Sequence, residues 1–220
     1  MLSWFKHKNY LFFWVEYLKK FKTSQPNTIE NTRFVVFDTE TTGLETSTDR
    51  ILSIGAISIF NNVIDVSDSF EVYLKQDEFK SETVEIHGIL KEGNLLKLSE
   101  AEALEQFINY LGNAVLVAHH TAFDIEMINA ALKRLNLPNL KNKSIDTGML
   151  YKKLDGKKDI HFSLDVLCNE FNIPKHDRHT ASGDAFITAI AFLKIVSKLK
   201  QERGVHYSDL FRTSNNKGLL

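Results

Sequence analysis

Asp38 and Glu40 stand one residue apart where the apolar run of "VVFDTETTGL" ends. Along an extended strand, side chains at i and i+2 leave the same face, so these two carboxylates converge. Converging carboxylates repel unless a proton or a positive charge lies between them. A divalent ion is the simplest solution, and hard oxygen ligands suit Mg²⁺ or Mn²⁺. An isolated Asp-x-Glu would read as no more than a polar strand end, but it is not isolated. Asp124 falls in the first turn of the helix expected after "NAVLVAHH", and Asp184 in the first turn of the last long helical stretch. Either aspartate alone would be explained by a helix dipole, which favours an acid there by about 0.3–1 kcal/mol. Acids gathered at the ends of several central elements ask for a shared partner.

His179 precedes Asp184 closely, but the two would not share a face of an ideal helix. They meet only if His179 lies in the approaching loop and Asp184 within the helix. The stretch "KHDRHTASGD" fits, being polar and irregular up to His179 and then rich in small residues. A histidine placed there beside a metal is suited to take a proton from a bound water.

These side chains need elements to hold them. "RFVVFDT" reads as a strand buried on both faces, and "RILSIGAISIF" and "VIDVSDSFEVYL" as two strands turning at Asn61–Asn62. "SEAEALEQFINYL" begins with a Ser-x-x-Glu capping pattern and continues at helical spacing. "NAVLVAHH" is a further buried strand, "TAFDIEMINAALKRLN" an amphipathic helix and "KSIDT" a short strand. Helices follow over 146–153, "SLDVLCNEF" and "ASGDAFITAIAFLKIVSKL". Hairpin strands followed by strands alternating with helices imply an α/β fold with a mixed sheet of about five strands flanked by helices. In such open sheets a site forms beyond the carboxyl ends of the central strands, where Asp38 and Glu40 lie.

At 220 residues the chain suits one substantial domain. Its single cysteine excludes an intrachain disulfide and a multi-thiolate zinc site, and favours a reducing, cytoplasmic setting. The net charge of -1 excludes the globally basic signature of an architectural nucleic-acid binder. Charge is nevertheless segregated, with lysines crowding 131–160 and acids dominating 65–105. The boundaries expected are an aromatic and basic helical extension with linker over 1–32, a domain over 33–203 and a tail over 204–220. The apolar core of the extension, "LFFWV", is too short to span a bilayer, which needs about 20 residues. Packing on the domain or contact with a protein partner is expected of it instead.

Together "FDTETTGL", "AHHTAFD" and "HTASGD" resemble the three motifs of the DEDDh class of 3′–5′ exonucleases. These DnaQ-like proteins have a ribonuclease H-like fold and include the proofreading (epsilon) subunits of bacterial DNA polymerase III. The resemblance runs from about residue 33 to 200. It implies that Asp38, Glu40, Asp124 and Asp184 are metal ligands and that His179 is the general base. It implies two ions, Mg²⁺ or Mn²⁺, roughly 3.5–4 Å apart. Asp38 would bridge them, with Glu40 and Asp184 on one and Asp124 on the other or acting through water. Thr41, Gly43 and Leu44 then match the loop that seats the terminal nucleotide. Glu82 and His87, in "SETVEIHGI", match positions that contact it, and Phe123 and His120 belong to the second motif. His120 departs from the family pattern, which has Asn there, and presents different hydrogen-bonding groups.

The activity implied is release of nucleoside 5′-monophosphates from the 3′ end of single-stranded nucleic acid, DNA in proofreading or repair. A DNA polymerase or another replication or repair protein is the implied partner. Two alternatives stay open on the residues: an RNA-directed exoribonuclease, and a non-catalytic module binding nucleic acid or a replication partner on the same fold.

Overall fold

The computed structural model describes residues 11–24, 26–76, 88–89, 95–156 and 162–211. Helix α1 (Phe12–Lys20) precedes the strands β1 (Phe34–Thr41), β2 (Ile51–Phe60), β3 (Val63–Leu74) and β4 (Lys97–Leu98). Helix α2 (Glu100–Leu111), β5 (Val115–Ala118), α3 (Thr121–Arg134) and β6 (Ser144–Asp146) follow. Helices α4 (Thr147–Asp155), α5 (Leu164–Glu170) and α6 (Ala181–Arg203) and a 3₁₀ turn (Tyr207–Leu210) complete the elements of the described residues. Among the described residues the mixed sheet has six strands, in the order β4-β3-β2-β1-β5-β6. The strand beyond the expected five is β4, whose two residues pair parallel to Tyr73 and Leu74. Two residues are too few to show a period-2 pattern, which is why no sequence signal announces it.

The hairpin is local chemistry made visible. Phe60 pairs with Val63 across Asn61 and Asn62, whose φ angles are 51° and 59°. A two-residue turn of this hand needs positive φ at both positions, and Asn tolerates it. On α2 the Ser99 hydroxyl accepts from the Glu102 backbone N–H at 3.3 Å, and the Glu102 carboxylate accepts from Ser99 N–H at 3.0 Å.

Strand β1 is central, antiparallel to β2 and parallel to β5. Its alternation sorts the core. Phe34 and Val36 face α5 and α6, packing with Ile57, Val117, Leu167 and Phe192. Val35 and Phe37 face α1, α2 and α3, packing with Trp14, Phe107, Ile128 and Leu132. Helix α1 joins this second layer through Phe13, Trp14 and Tyr17, all buried. The Tyr17 hydroxyl also donates to Asn142 Oδ1 at 2.6 Å and accepts from Lys141 N–H at 2.7 Å, tying α1 to the approach to β6. Among the described residues, no helix is long and apolar enough to cross a membrane.

Candidate metal centre and active site

The parity of β1 decides where each acid goes. Asp38 and Glu40 continue the row of Phe34 and Val36 and so emerge on the α6 side. Thr39 continues the row of Val35 and Phe37 and emerges on the α3 side. On the α6 side, Asp38, Glu40 and Asp184 each offer a carboxylate oxygen, and these oxygens all lie within 4.8 Å of one another. On the α3 side, Asp124 Oδ1 accepts from Thr39 N–H at 3.0 Å and from the Thr39 hydroxyl at 2.7 Å. Asp124 is therefore pinned beside the trio, behind the strand end, and stands outside that three-acid group.

The reach of Asp184 depends on a missing side chain. Gly55 on β2 is the register partner of Asp38. A Cβ on Gly55 would lie 2.1 Å from Ser182 N and 2.2 Å from Ala181 C, so the start of α6 rests on bare backbone. Thr180 caps the helix, its hydroxyl accepting from Gly183 N–H at 3.1 Å. A Cβ on Gly183 would fall 2.0 Å from Asp177 O, so the loop before the helix curls directly over its first turn. That loop carries His179 at φ 64°, exposed, with its backbone N–H donating to Asp184 Oδ2 at 3.3 Å. The separation of roles expected from the spacing holds: His179 lies in the loop and Asp184 in the helix.

Electrostatics mark these acids as a set. Burial, then the charges of Asp124, Asp184 and Glu40, pushes Asp38 well above the usual carboxylate range. Burial and the neighbouring Asp184 raise Glu40 to about 7, partly offset by Arg178. Burial lifts Asp124 to about 7 against the lowering effect of its bonds from Thr39. Carboxyl groups that hold protons this strongly are ones a divalent cation would relieve. The donor set is oxygen-only, suiting a hard ion such as Mg²⁺ or Mn²⁺.

The surrounding groups complete the site. In the loop after β1, buried Asp49 accepts from the Thr42 hydroxyl at 2.8 Å and from Glu45 N–H at 2.9 Å, while Thr41 donates to Gly43 O at 2.7 Å. A Cβ on Gly43 would collide with the Asp49 carboxylate at 2.4 Å. The loop so braced holds Leu44 out at 85% exposure, an apolar side chain presented to whatever binds. At the start of α3, His120 has φ 64°. Asn is favoured in that left-handed region and His is also enriched there, so the replacement keeps the backbone path. Asp146 links two helix starts, accepting from Thr121 N–H at 2.9 Å and Met149 N–H at 2.9 Å. Beside it His120, Phe123, Gly148, Met149, Lys152 and Phe162 line a hollow of about 450 Å³. Glu82 and His87 lie outside the described residues.

The exonuclease family model, of RNase T type, matches residues 35–192, a span holding all four acids and His179. The chain belongs to this exonuclease family. It is 34% identical over 179 residues to the DNA polymerase III PolC-type protein of Thermotoga petrophila, covering 81% of this chain and 13% of that one. To the PolC-type protein of Staphylococcus aureus it is 28% identical over 189 residues, covering 86% and 13%. The chain thus spans about an eighth of the length of the curated relatives it matches. Its fold resembles that of exonuclease X in complex with 5′ overhanging duplex DNA, at 21% identity and TM-score 0.62, covering 81% of this chain and 97% of that one. It also resembles E. coli exonuclease I in complex with a dT13 oligonucleotide, at 20% identity and TM-score 0.64, covering 79% and 42%. The fold of this family member is the ribonuclease H-like exonuclease fold.

Four residues that shape this candidate site gave no signal by themselves in the sequence: Thr39, Asp49, Gly55 and Arg178. Arg178 donates to Asp184 Oδ1 and, through Nε and Nη2, to both oxygens of Asp165 at 3.3 Å. The one available cue was an arginine directly beside the motif histidine.

Proposed function

We propose that the chain is a divalent-metal-dependent 3′–5′ exonuclease that releases nucleoside 5′-monophosphates from single-stranded DNA. The observation that carries the reading is the convergence of Asp38, Glu40 and Asp184 within 4.8 Å at the end of the central strand. Those three residues would hold one ion, and Asp124, whose charge acts on Asp38, is the candidate for a second. When bound, such ions supply Lewis-acid stabilisation of phosphoryl and leaving oxygens and lower the pKa of water. His179, exposed and tied by its backbone to Asp184, takes the proton of the attacking water, a role worth about 10²–10⁴ in rate. Leu44 and the braced Thr41–Gly43 turn support the terminal base and sugar. Phe123 and Lys152 flank the path of the preceding nucleotides, offering a ring for stacking and a charge for phosphate.

DNA is favoured over RNA because the structural neighbours include DNA complexes and the curated relatives are DNA polymerases. The same relatives support action with a polymerase, in proofreading or repair. A non-catalytic module has no use for carboxylates buried against one another, which cost stability unless an ion joins them. The test uses a 5′-labelled single strand, with Mg²⁺ or Mn²⁺, and compares the parent protein with Asp38→Ala. A ladder shortening from the 3′ end with the parent alone supports the reading. A parent that leaves matched DNA and RNA strands intact would favour the binding module, and one that degrades only RNA would favour the exoribonuclease.

A further inference from the structure

Arg178 is strung between two acids of different standing. One is Asp184, a member of the converging trio with a side chain only 10% exposed. The other is Asp165, in the first turn of α5, 48% exposed and shared with Lys175 at 3.2 Å. The Arg178 side chain is 16% exposed, so its charge acts on the acids through surroundings that screen less than bulk water. Because Asp184 Oδ1 accepts from Arg178, and its carboxylate lies within 4.8 Å of ligand oxygens of Asp38 and Glu40, the cation stands one carboxylate away from the whole cradle.

Such a cation has two opposed effects. With no ion bound, it offsets the mutual repulsion of the carboxylates and fixes one oxygen of Asp184. With an ion bound, it is a like charge beside a divalent cation. Asp165 sets the balance, because a fork gripping both its oxygens draws the guanidinium toward the rim and away from the metal ligands.

We propose that Arg178 is a positioning residue for metal uptake: it stands in for the ion whenever none is bound, and Asp165 tunes how readily it yields. This rests on the metal-centre reading above. It predicts opposite effects at two residues joined by one ion pair, which a merely structural salt bridge would not produce.

The experiment titrates Mn²⁺ into the full chain and follows the free ion by electron paramagnetic resonance, with thermal unfolding in chelator and in Mn²⁺ alongside. Arg178→Met is expected to unfold at a lower temperature in chelator and to bind Mn²⁺ about tenfold more tightly. Asp165→Asn is expected to bind Mn²⁺ severalfold more weakly, because the whole guanidinium then turns to Asp184. In the Arg178→Met background, Asp165→Asn should change Mn²⁺ binding no further, since Asp165 acts through the arginine. Should Arg178→Met not fold, Arg178→Gln replaces it; the neutral amide also removes the charge and should likewise bind Mn²⁺ more tightly, opposite to Asp165→Asn. Half-saturation that is unchanged in the variants, or that moves the same way in the neutral Arg178 variant and in Asp165→Asn, overturns the role while leaving the metal centre standing. A parent that binds no Mn²⁺, or an Asp38→Ala variant that binds it equally well, overturns both.

Discussion

Gly55→Ala is the most direct way to separate the fold from the site it assembles. The added methyl would meet backbone atoms of Ser182 and Ala181 at 2.1 and 2.2 Å, where an ordinary contact needs about 3.5 Å. No side-chain rotamer relieves this, because both partners are main chain. The start of α6 must retreat by roughly 1.4 Å, or β2 must bow by a similar amount. Overpacking of this kind costs about 1–3 kcal/mol, and a backbone-on-backbone collision belongs at the upper end. The retreat carries Asp184 away from Asp38 and Glu40, which stay fixed on β1. A misplacement of about 1 Å in a catalytic constellation costs on the order of 10²-fold in rate.

The assay pairs urea unfolding with 3′ trimming of a labelled strand at saturating Mn²⁺. Gly204→Ala is the control. It sits at the far end of α6 with φ 62° and open space around its Cβ, so it incurs the left-handed backbone penalty of about 1–2 kcal/mol without touching the site. Gly55→Ala should lose both stability and activity, whereas Gly204→Ala should lose stability and keep the rate of its folded fraction. If Gly55→Ala trims at the parental rate, the seating of α6 on β2 is not what brings Asp184 into the cradle.

Three other expectations follow from the same geometry. Because burial raises Glu40 and Asp124 to about 7 from ordinary values near 4, folding of the metal-free protein takes up protons between those pH values. Its stability should therefore fall as pH rises from about 4 to 7 and the slope should flatten when Mn²⁺ is present; melting curves in chelator that rise over that range would contradict it. Lys152→Glu should weaken oligonucleotide binding and reduce the salt dependence of affinity by about one phosphate contact, read by fluorescence anisotropy at several salt concentrations. His179→Ala should lower the trimming rate by about 10²–10⁴ while leaving Mn²⁺ half-saturation unchanged, and a parallel loss of metal would make the histidine a ligand instead of a base.

What the sequence showed and what it hid divide along a physical line. Local rules wrote themselves into the chain: the Asn61–Asn62 turn, the Ser99–Glu102 cap, and the i, i+2 pairing of Asp38 with Glu40 each need only neighbouring residues. Thr39 hid because its task is set by parity as well as by type. One residue between two acids exits on the opposite face, so a single strand end serves two helices: Asp38 and Glu40 face α6, and Thr39 grips Asp124 on α3. Gly55 hid because a glycine inside a strand looks like a weakness until the helix that lies on it is known. Of the crowded lysines over 131–160, Lys152 lines the hollow, whereas Lys143 lies over the Tyr207 and Phe211 rings and Lys153 donates to Asp209 O. Arg178 hid for the deepest reason. A lone basic residue in a polar loop acquires meaning only from the charges that folding assembles around it, and here those charges come from β1, α5 and α6 at once. Spacing along the chain can nominate ligands, but the counter-charge that lets them coexist is chosen in three dimensions.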